Sequence, residues 1–231
     1  NDMLSPQLVP NNSKKIEQFL PPRLIDNAEY SKLMQSLNQK QSKFVLNALH
    51  LLKTSRQPFH MFLSGGAGVG KSHAITAIVQ SALRYYGAEA CRDQTTLPVI
   101  VTAFTGKAAF NVFGMTLHSA FNLPPIQSTE VRDLVDDKRN ILHARYKDLK
   151  LIIIDEVSMC SLKLLKAVDQ RMRQITGSNE DFGGRSVIVV GHLRQLPPIF
   201  GQFPFEPQRG NEAIINHLWR NFRLFELDEI M

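Results

Sequence analysis

The sequence predicts an α/β fold in which a parallel sheet carries helices on both faces. Three observations support that expectation. Apolar, β-branched runs recur at 59–63, 97–102, 151–154 and 186–190, each apolar at successive positions, as strands buried on both faces are. Segments with helical spacing alternate with these runs, the order that builds parallel sheets. A glycine-rich stretch, Gly65-Gly66-Ala67-Gly68-Val69-Gly70-Lys71-Ser72, stands between the first strand and the first long helix.

Taken in order, residues 1–30 are polar and punctuated by Pro6, Pro10, Pro21 and Pro22, and read as an extended arm with little core of its own. Residues 31–231 read as one domain. Leu33, Leu37, Phe44, Val45, Ala48, Leu49 and Leu52 recur at helical spacing, and the break at 36–39 suggests two helices, with Asn38 capping the second. Phe59 to Leu63 is the first strand, and Lys71 to about Tyr86 the helix after it. Leu97 to Thr102 is a buried strand, followed by a loop that enters a helix by Ala109. Residues 122–150 change character, with Pro124-Pro125, charges of mixed sign and a helical pattern through Ile141, Leu142 and Tyr146; they read as a small subdomain inserted between core strands. Leu151 to Ile154 is the next strand. Ser161 to Ile175 is amphipathic, with Leu162, Leu165, Val168 and Met172 on one face. A Gly-rich loop leads to the Ser186–Val190 strand, and Leu224 to Leu227 is a last one.

Composition narrows the function classes. At 231 residues and 43% hydrophobic, the chain can bury one substantial core. No run approaches the roughly 20 apolar residues of a membrane helix, residues 1–10 do not read as a signal peptide, and no membrane partner is expected. Cys91 and Cys160 form no C-x-x-C pair, so neither a disulfide framework nor a zinc site is expected, and a reducing compartment fits. Cys160 reads as a buried, inert thiol. The net charge of +6 favours a polyanionic partner without requiring one, because the Lys and Arg residues are spread along the chain.

The glycine-rich stretch matches G-x-x-x-x-G-K-[ST] in the strand–loop–helix setting that this motif needs. Its glycines let backbone N–H groups converge on phosphate oxygens, and the following helix N-terminus adds partial positive charge. Lys71 can reach the β- and γ-phosphates, and the Ser72 hydroxyl can ligate Mg²⁺. The fold expectation therefore sharpens to a P-loop NTPase. Asp155 and Glu156 end the Leu151–Ile154 strand, at the edge of the sheet where ligands bind. There Asp155 can hold Mg²⁺ and Glu156 can polarise the water that attacks the γ-phosphate. Gln195, in Gly191–Pro198, has an amide able to sense a γ-phosphate, but the same stretch reads equally as a polar loop stiffened by two prolines.

Together these blocks resemble the Pif1-like helicases, a branch of superfamily 1 DNA helicases. Leu37–Gln41 resembles that family's Q motif, which implies Gln41 at the adenine edge. Thr102–Ala109 (TAFTGKAA) resembles motif Ia and Gly114–Phe121 the block after it, two blocks that in the family line a single-strand path. Ile154–Met159 resembles motif II, Gly191–Pro198 motif III, and Leu218–Met231 the lead-in to motif IV. The resemblance spans roughly residues 30–231. It implies a RecA-like first motor domain that hydrolyses ATP with Mg²⁺ and moves 5′ to 3′ on single-stranded or forked DNA. It also implies monomeric behaviour and work in DNA repair, recombination and telomere maintenance. The implied compartment is the nucleus or mitochondrion in a eukaryote and otherwise the cytoplasm.

Residue by residue, the resemblance implies nucleotide contacts from Gln41 and from Gly65, Gly66, Ala67, Gly68, Val69, Gly70, Lys71 and Ser72. It implies Mg²⁺ ligation by Ser72 and Asp155, and catalytic roles for Lys71, Glu156 and Gln195. It implies DNA contacts from Phe104, Thr105, Gly106, Lys107, Thr116 and His118, with Phe104 stacking on bases from an exposed loop. Phe121, at helical spacing from Leu117, reads as core, and His118 as either a DNA contact or a buried hydrogen bond. Residues 122–150 would be a wedge subdomain at the fork.

One position departs from the family: motif III has an acidic residue where this chain has His192, which cannot replace it as an anion. The family's next arginine, which reaches the γ-phosphate, and its second RecA-like domain are expected beyond Met231, so this chain by itself is expected to be weak or inactive as an ATPase and not to unwind DNA. The alternatives are a P-loop ATPase of another class, such as the AAA+ type, and a nucleotide-dependent interaction domain with a degenerate motif III.

Overall fold

The apolar runs assemble into a six-stranded sheet in the computed structural model, which describes residues 23–87, 97–124, 131–192, 198, 201–208, 211–215 and 217–229. In chain order the elements are α1 (Asn27–Gln35), α2 (Gln39–Thr54), β1 (His60–Gly65), α3 (Lys71–Gly87), β2 (Val99–Ala103), α4 (Gly106–Asn111), β3 (Met115–Thr116) and α5 (Leu117–Ala120). There follow α6 (Asp136–Tyr146), β4 (Leu151–Asp155), α7 (Leu162–Thr176), β5 (Ser186–Gly191), β6 (Pro207–Gln208), β7 (Asn211–Ile215), α8 (His217–Arg220) and β8 (Arg223–Leu227). The main sheet runs β3-β2-β4-β5-β1-β8, with every pairing parallel.

The successive apolar positions of the strands are explained by two separate cores. Ile100, Ile152, Ile154, Val187 and Val189 face one layer, where Leu165, Val168 and Met172 of α7 pack. Val99, Val101, Leu151, Ile153, Ile188 and Val190 face the other, against Phe44, Val45 and Ala48 of α2 and Ala74, Ile75 and Ile78 of α3. Alternate side chains of one strand thus enter opposite layers, as the two-residue period of a strand dictates.

Local signals set the helix starts. Asn38 accepts from Gln41 N at 2.9 Å while Gln41 Oε1 accepts from Asn38 N at 3.0 Å, a capping box that starts α2 where the sequence predicts. Ser161 accepts from Leu164 N and starts α7. The arm expected over 1–30 ends sooner, because Asp26 caps α1 by accepting from Glu29 N at 2.8 Å; residues 1–22 lie outside the described residues.

The insertion expected at 122–150 is, where described, built into the main core. Leu142, Tyr146 and Leu149 are buried in the layer that holds α7, and the Tyr146 hydroxyl donates to Ala120 O at 2.8 Å. Burial of these three side chains against the sheet outweighs the charged face of α6 that marked the segment as separate. Two features were not expected from periodicity: the two-residue strand β3, placed by its pairing with β2, and the β6–β7 antiparallel pair.

Candidate nucleotide site and nucleic-acid interface

Strands β1, β2, β4 and β5 all end on one edge of the sheet, which brings the loop after β1 and the residues after β4 to the same crevice. Gly68 and Gly70 have φ of 80° and 77°, values that residues with a Cβ rarely adopt, so the loop's tight turns depend on glycine there. Lys71 opens α3 and folds back over the loop. Its ammonium donates to Gly65 O at 2.9 Å and Gly66 O at 2.6 Å. Burial holds the Lys71 ammonium below its ordinary pKa, with the charge of Asp155 opposing that shift. These carbonyl bonds keep the cation satisfied and can be exchanged for phosphate oxygens.

Asp155 ends β4. Burial pushes its carboxyl above the ordinary range, the hydrogen bond from Glu156 N (2.9 Å) opposes this, the Glu156 charge adds to it, and Lys71 opposes it. A half-buried carboxylate with one internal hydrogen bond suits a cation ligand. Ser72, exposed in the first turn of α3, could supply a second oxygen. Among the described residues no group of three or more His, Cys, Asp and Glu could cage a metal. Glu156 follows in the left-handed region, at φ 55° and ψ 44°, so the chain turns sharply at this residue. Such a conformation in a non-glycine residue costs on the order of 1–3 kcal/mol and persists where the surroundings enforce it.

Gln41 is fully buried, and its amide works at both ends: Nε2 donates to Val69 O at 3.0 Å and Oε1 takes the Asn38 N–H. It ties the start of α2 to the phosphate loop, 28 residues away in sequence. Lys40, beside it, pairs with Asp228 just beyond β8. His192 follows Gly191, whose partner in β1 is Ser64, and is half-buried. Gln195 lies outside the described residues.

The residues expected to contact DNA gather at the β2–β3 corner of the same edge. Thr105 caps α4, accepting from Ala108 N at 3.1 Å, and Thr116 caps α5, accepting from Ser119 N at 3.2 Å. Gly106 and Lys107 are exposed. Phe104, expected in an exposed loop, is half-buried and packs against the α7 layer, its ring edge-on to His118 at 6.5 Å between centroids. The physical reason is that Phe104 follows β2 directly, where its ring extends the apolar layer. His118 is half-buried, its Nε2 has no hydrogen-bond partner among the described residues, and burial lowers its pKa. Phe121 is fully buried, as its spacing predicts, and so is Cys160, whose thiol burial pushes up to about 12. Sequence spacing does not single out Phe110, in the last turn of α4, and Phe113, on the turn after it, which are 80% and 74% exposed. No pattern of spacing separates such rings from core ones.

Comparison with known proteins places this geometry in a family. The PIF1-like helicase model matches residues 36–231. An ATP-dependent DNA helicase Pif1 of Psychrobacter sp. (strain PRwf-1) is 32% identical over 185 residues, covering 79% of this chain and 26% of that protein. The ATP-dependent DNA helicase PIF5 of Trypanosoma brucei brucei is 38% identical over 169 residues, covering 72% of this chain and 16% of that protein. The crystal structure of Pif1 helicase from Candida albicans superposes with a TM-score of 0.64 at 26% identity, covering 84% of this chain and 40% of that chain. That of Bacteroides Pif1 bound to single-stranded DNA gives 0.56 at 28% identity, covering 84% and 42%. The six-stranded parallel sheet with helices on both faces is thus the fold that the sequence predicts.

Proposed function

The chain belongs to the PIF1-like helicase family, and from that premise we propose that it is an ATP-hydrolysing motor domain that works on single-stranded or forked DNA. The observation that supports this most is the meeting, at one sheet edge, of the Lys71 loop with Asp155 and a Glu156 held in left-handed backbone. The chain spans about a quarter or less of the length of the two relatives described above, so this reading covers one domain's share of the work.

In this reading the loop amides and the Lys71 ammonium take the β- and γ-phosphates, Lys71 releasing Gly65 O and Gly66 O as it does so. Ser72 and Asp155 would hold Mg²⁺, which would supply positive charge against the charge that develops on the phosphates. Glu156, at the sharp turn that follows β4, orients and deprotonates the attacking water. Gln41 meets the adenine edge by exchanging an internal bond for the base, because its amide is fully buried with both ends in use. Gln195 senses the γ-phosphate. Lys107 and the Gly106 backbone meet DNA phosphates, Phe104 and His118 meet bases, and Thr105 and Thr116 hold the segments that present them. Movement is 5′ to 3′, the domain is monomeric, and the compartment follows the source organism, nucleus or mitochondrion in a eukaryote and cytoplasm otherwise.

ATP hydrolysis by the 231-residue chain, measured with Mg²⁺ and with or without an oligonucleotide, tests the reading. Nucleotide binding should disappear in Lys71→Ala and survive in Glu156→Gln, which should not hydrolyse. Binding that is indifferent to Lys71→Ala would overturn the site. His192→Asp adds a carboxylate beside the β1 edge; a gain in hydrolysis would favour the reading in which motif III is degenerate.

A further inference from the structure

The opposite edge of the sheet, where the strands begin, carries an arrangement of charge that the nucleotide site does not use. A cavity of about 460 Å³ opens there between the C-terminal ends of α2 and α3 and the starts of β1, β4 and β5. Lys53, Arg56, Lys150 and Arg185 line it, against a single lining carboxylate, Glu180. Three of these cations form a row. Lys150 precedes β4, Arg185 precedes β5 and Arg56 precedes β1, and β4, β5 and β1 are neighbours in the sheet. The starts of these three strands span about 10 Å at about 4.8 Å between neighbours, with Lys150 and Arg185 directly ahead of theirs and Arg56 on the loop before β1.

Ordinary roles account for only part of this. Lys53 sits in the last turn of α2 and complements the negative end of that helix, and its ammonium lies 4.8 Å over the Tyr85 ring. Arg56, Lys150 and Arg185 lie on connecting segments, and none of the four forms an ion pair among the described residues. Arg185 is half-buried and its Nε is enclosed without an acceptor among the described residues. An unmet donor of that kind is costly, and more so on a charged group. Asp148 acts on Arg185 through space without bonding to it. Tyr85, 41% exposed, adds an aromatic ring beside the cations.

We propose that this basal cavity is a second phosphate-binding site, which holds the backbone of a single-stranded nucleic acid on the edge opposite the nucleotide site. These cations carry charge enough to hold two phosphates of one strand. Tyr85, with Lys53 over its ring, offers a base a stacking face once that side chain moves to a phosphate, the combination of charge and aromatic ring that single strands select. β1 is six residues long, so the two edges are about 20 Å apart, and the chain has two grips on one nucleic acid. A second grip raises the effective concentration of strand at the first. The inference rests on the DNA-motor reading for its ligand class and goes beyond it in location.

The test is the salt dependence of binding of a fluorescein-labelled oligothymidylate to the 231-residue chain, followed by anisotropy. Arg56→Ala with Lys150→Ala removes two exposed cations outside the nucleotide site. It should weaken binding several-fold at low salt and flatten the log–log salt slope by about 1.4, roughly 0.7 for each phosphate no longer neutralised. Adding Arg185→Gln should flatten it further, while ATP binding stays unchanged. An unchanged slope overturns the inference, as does a changed melting temperature with unchanged binding, which would make the cations mere complements of the helix ends. If inorganic pyrophosphate raises the melting temperature of the wild type but not of the double variant, and the slope is unchanged, the site takes free polyphosphate and the nucleic-acid assignment falls. Lys107→Ala separates the two edges. Binding lost there and kept in the basal variant sinks this inference and leaves the motor reading standing; the reverse keeps this inference and sinks the DNA path at the other edge.

Discussion

The phosphate-loop corner and the β2–β3 corner share one edge of one sheet, yet they commit their polar groups differently. At the phosphate loop the fold is held by main chain, by glycine geometry and by the buried Gln41 amide, and the reactive side chains are left exchangeable. Among the described residues Lys71 bonds only loop carbonyls, Ser72 is exposed, and Asp155 keeps a single internal hydrogen bond. At the β2–β3 corner the hydroxyls themselves hold the fold, because Thr105 and Thr116 cap α4 and α5. A motif residue can therefore be needed for a ligand in one corner and for a helix start in the other.

Four measurements would break or sharpen that contrast. The largest effect belongs to the phosphate corner: Glu156→Gln should cut ATP turnover by about 10²–10⁴-fold with little change in nucleotide affinity or melting temperature. Loss of folding instead would mean that this side chain also holds structure. Next, Phe104→Leu should keep the packing against the α7 layer and remove the aromatic face, lowering oligonucleotide affinity by about 1–3 kcal/mol if Phe104 stacks on a base. Unchanged affinity would give Phe104 to the core. Third, Thr105→Ala and Thr116→Ala should each cost about 1 kcal/mol in chemical denaturation, the usual worth of a helix cap, and Thr105→Ser should restore most of it. A large loss of DNA affinity at unchanged stability would erase the distinction between the corners.

The smallest effects come from pH, and they have opposite signs. Burial raises the Asp155 pKa, so the folded state favours the protonated form and its ionisation opposes folding at neutral pH. Asp155→Asn should accordingly melt a few degrees higher at pH 7, an advantage that shrinks as the pH falls into the carboxylate range. Burial lowers the His118 pKa, so the unfolded chain takes up a proton first, and stability falls as the pH drops below about 6.5. In His118→Gln that part of the acid sensitivity should be missing from the melting curve. Acid thus relieves one corner and strains the other.

The sheet and the phosphate loop were legible because their signals are local. Strands apolar at every position can only be buried on both faces, and Asn38 with Gln41 spells a capping box three residues apart. What was not legible depends on contacts between distant segments. β3 has too few residues for a period and exists by pairing Met115 and Thr116 with Thr102 and Ala103. Tyr146 and Leu149 look like part of a charged insertion until the sheet they cover is in view. The half-burial of Phe104 and the left-handed backbone of Glu156 follow from what surrounds them, and neither residue type announces it. The basal row of cations is gathered from distant stretches of chain, one cation ahead of each of three strands, and no window of sequence contains it.

The buried Gln41 amide has a kinetic consequence. Because it holds Val69 from α2, the loop keeps its shape without a ligand. The entropy of ordering the loop is then lost at folding and not again at each encounter with nucleotide. Capture should accordingly need no slow rearrangement before phosphate meets the loop. In Gln41→Ala the association rate should fall more than the dissociation rate rises, so that the residue tunes how fast each cycle can begin.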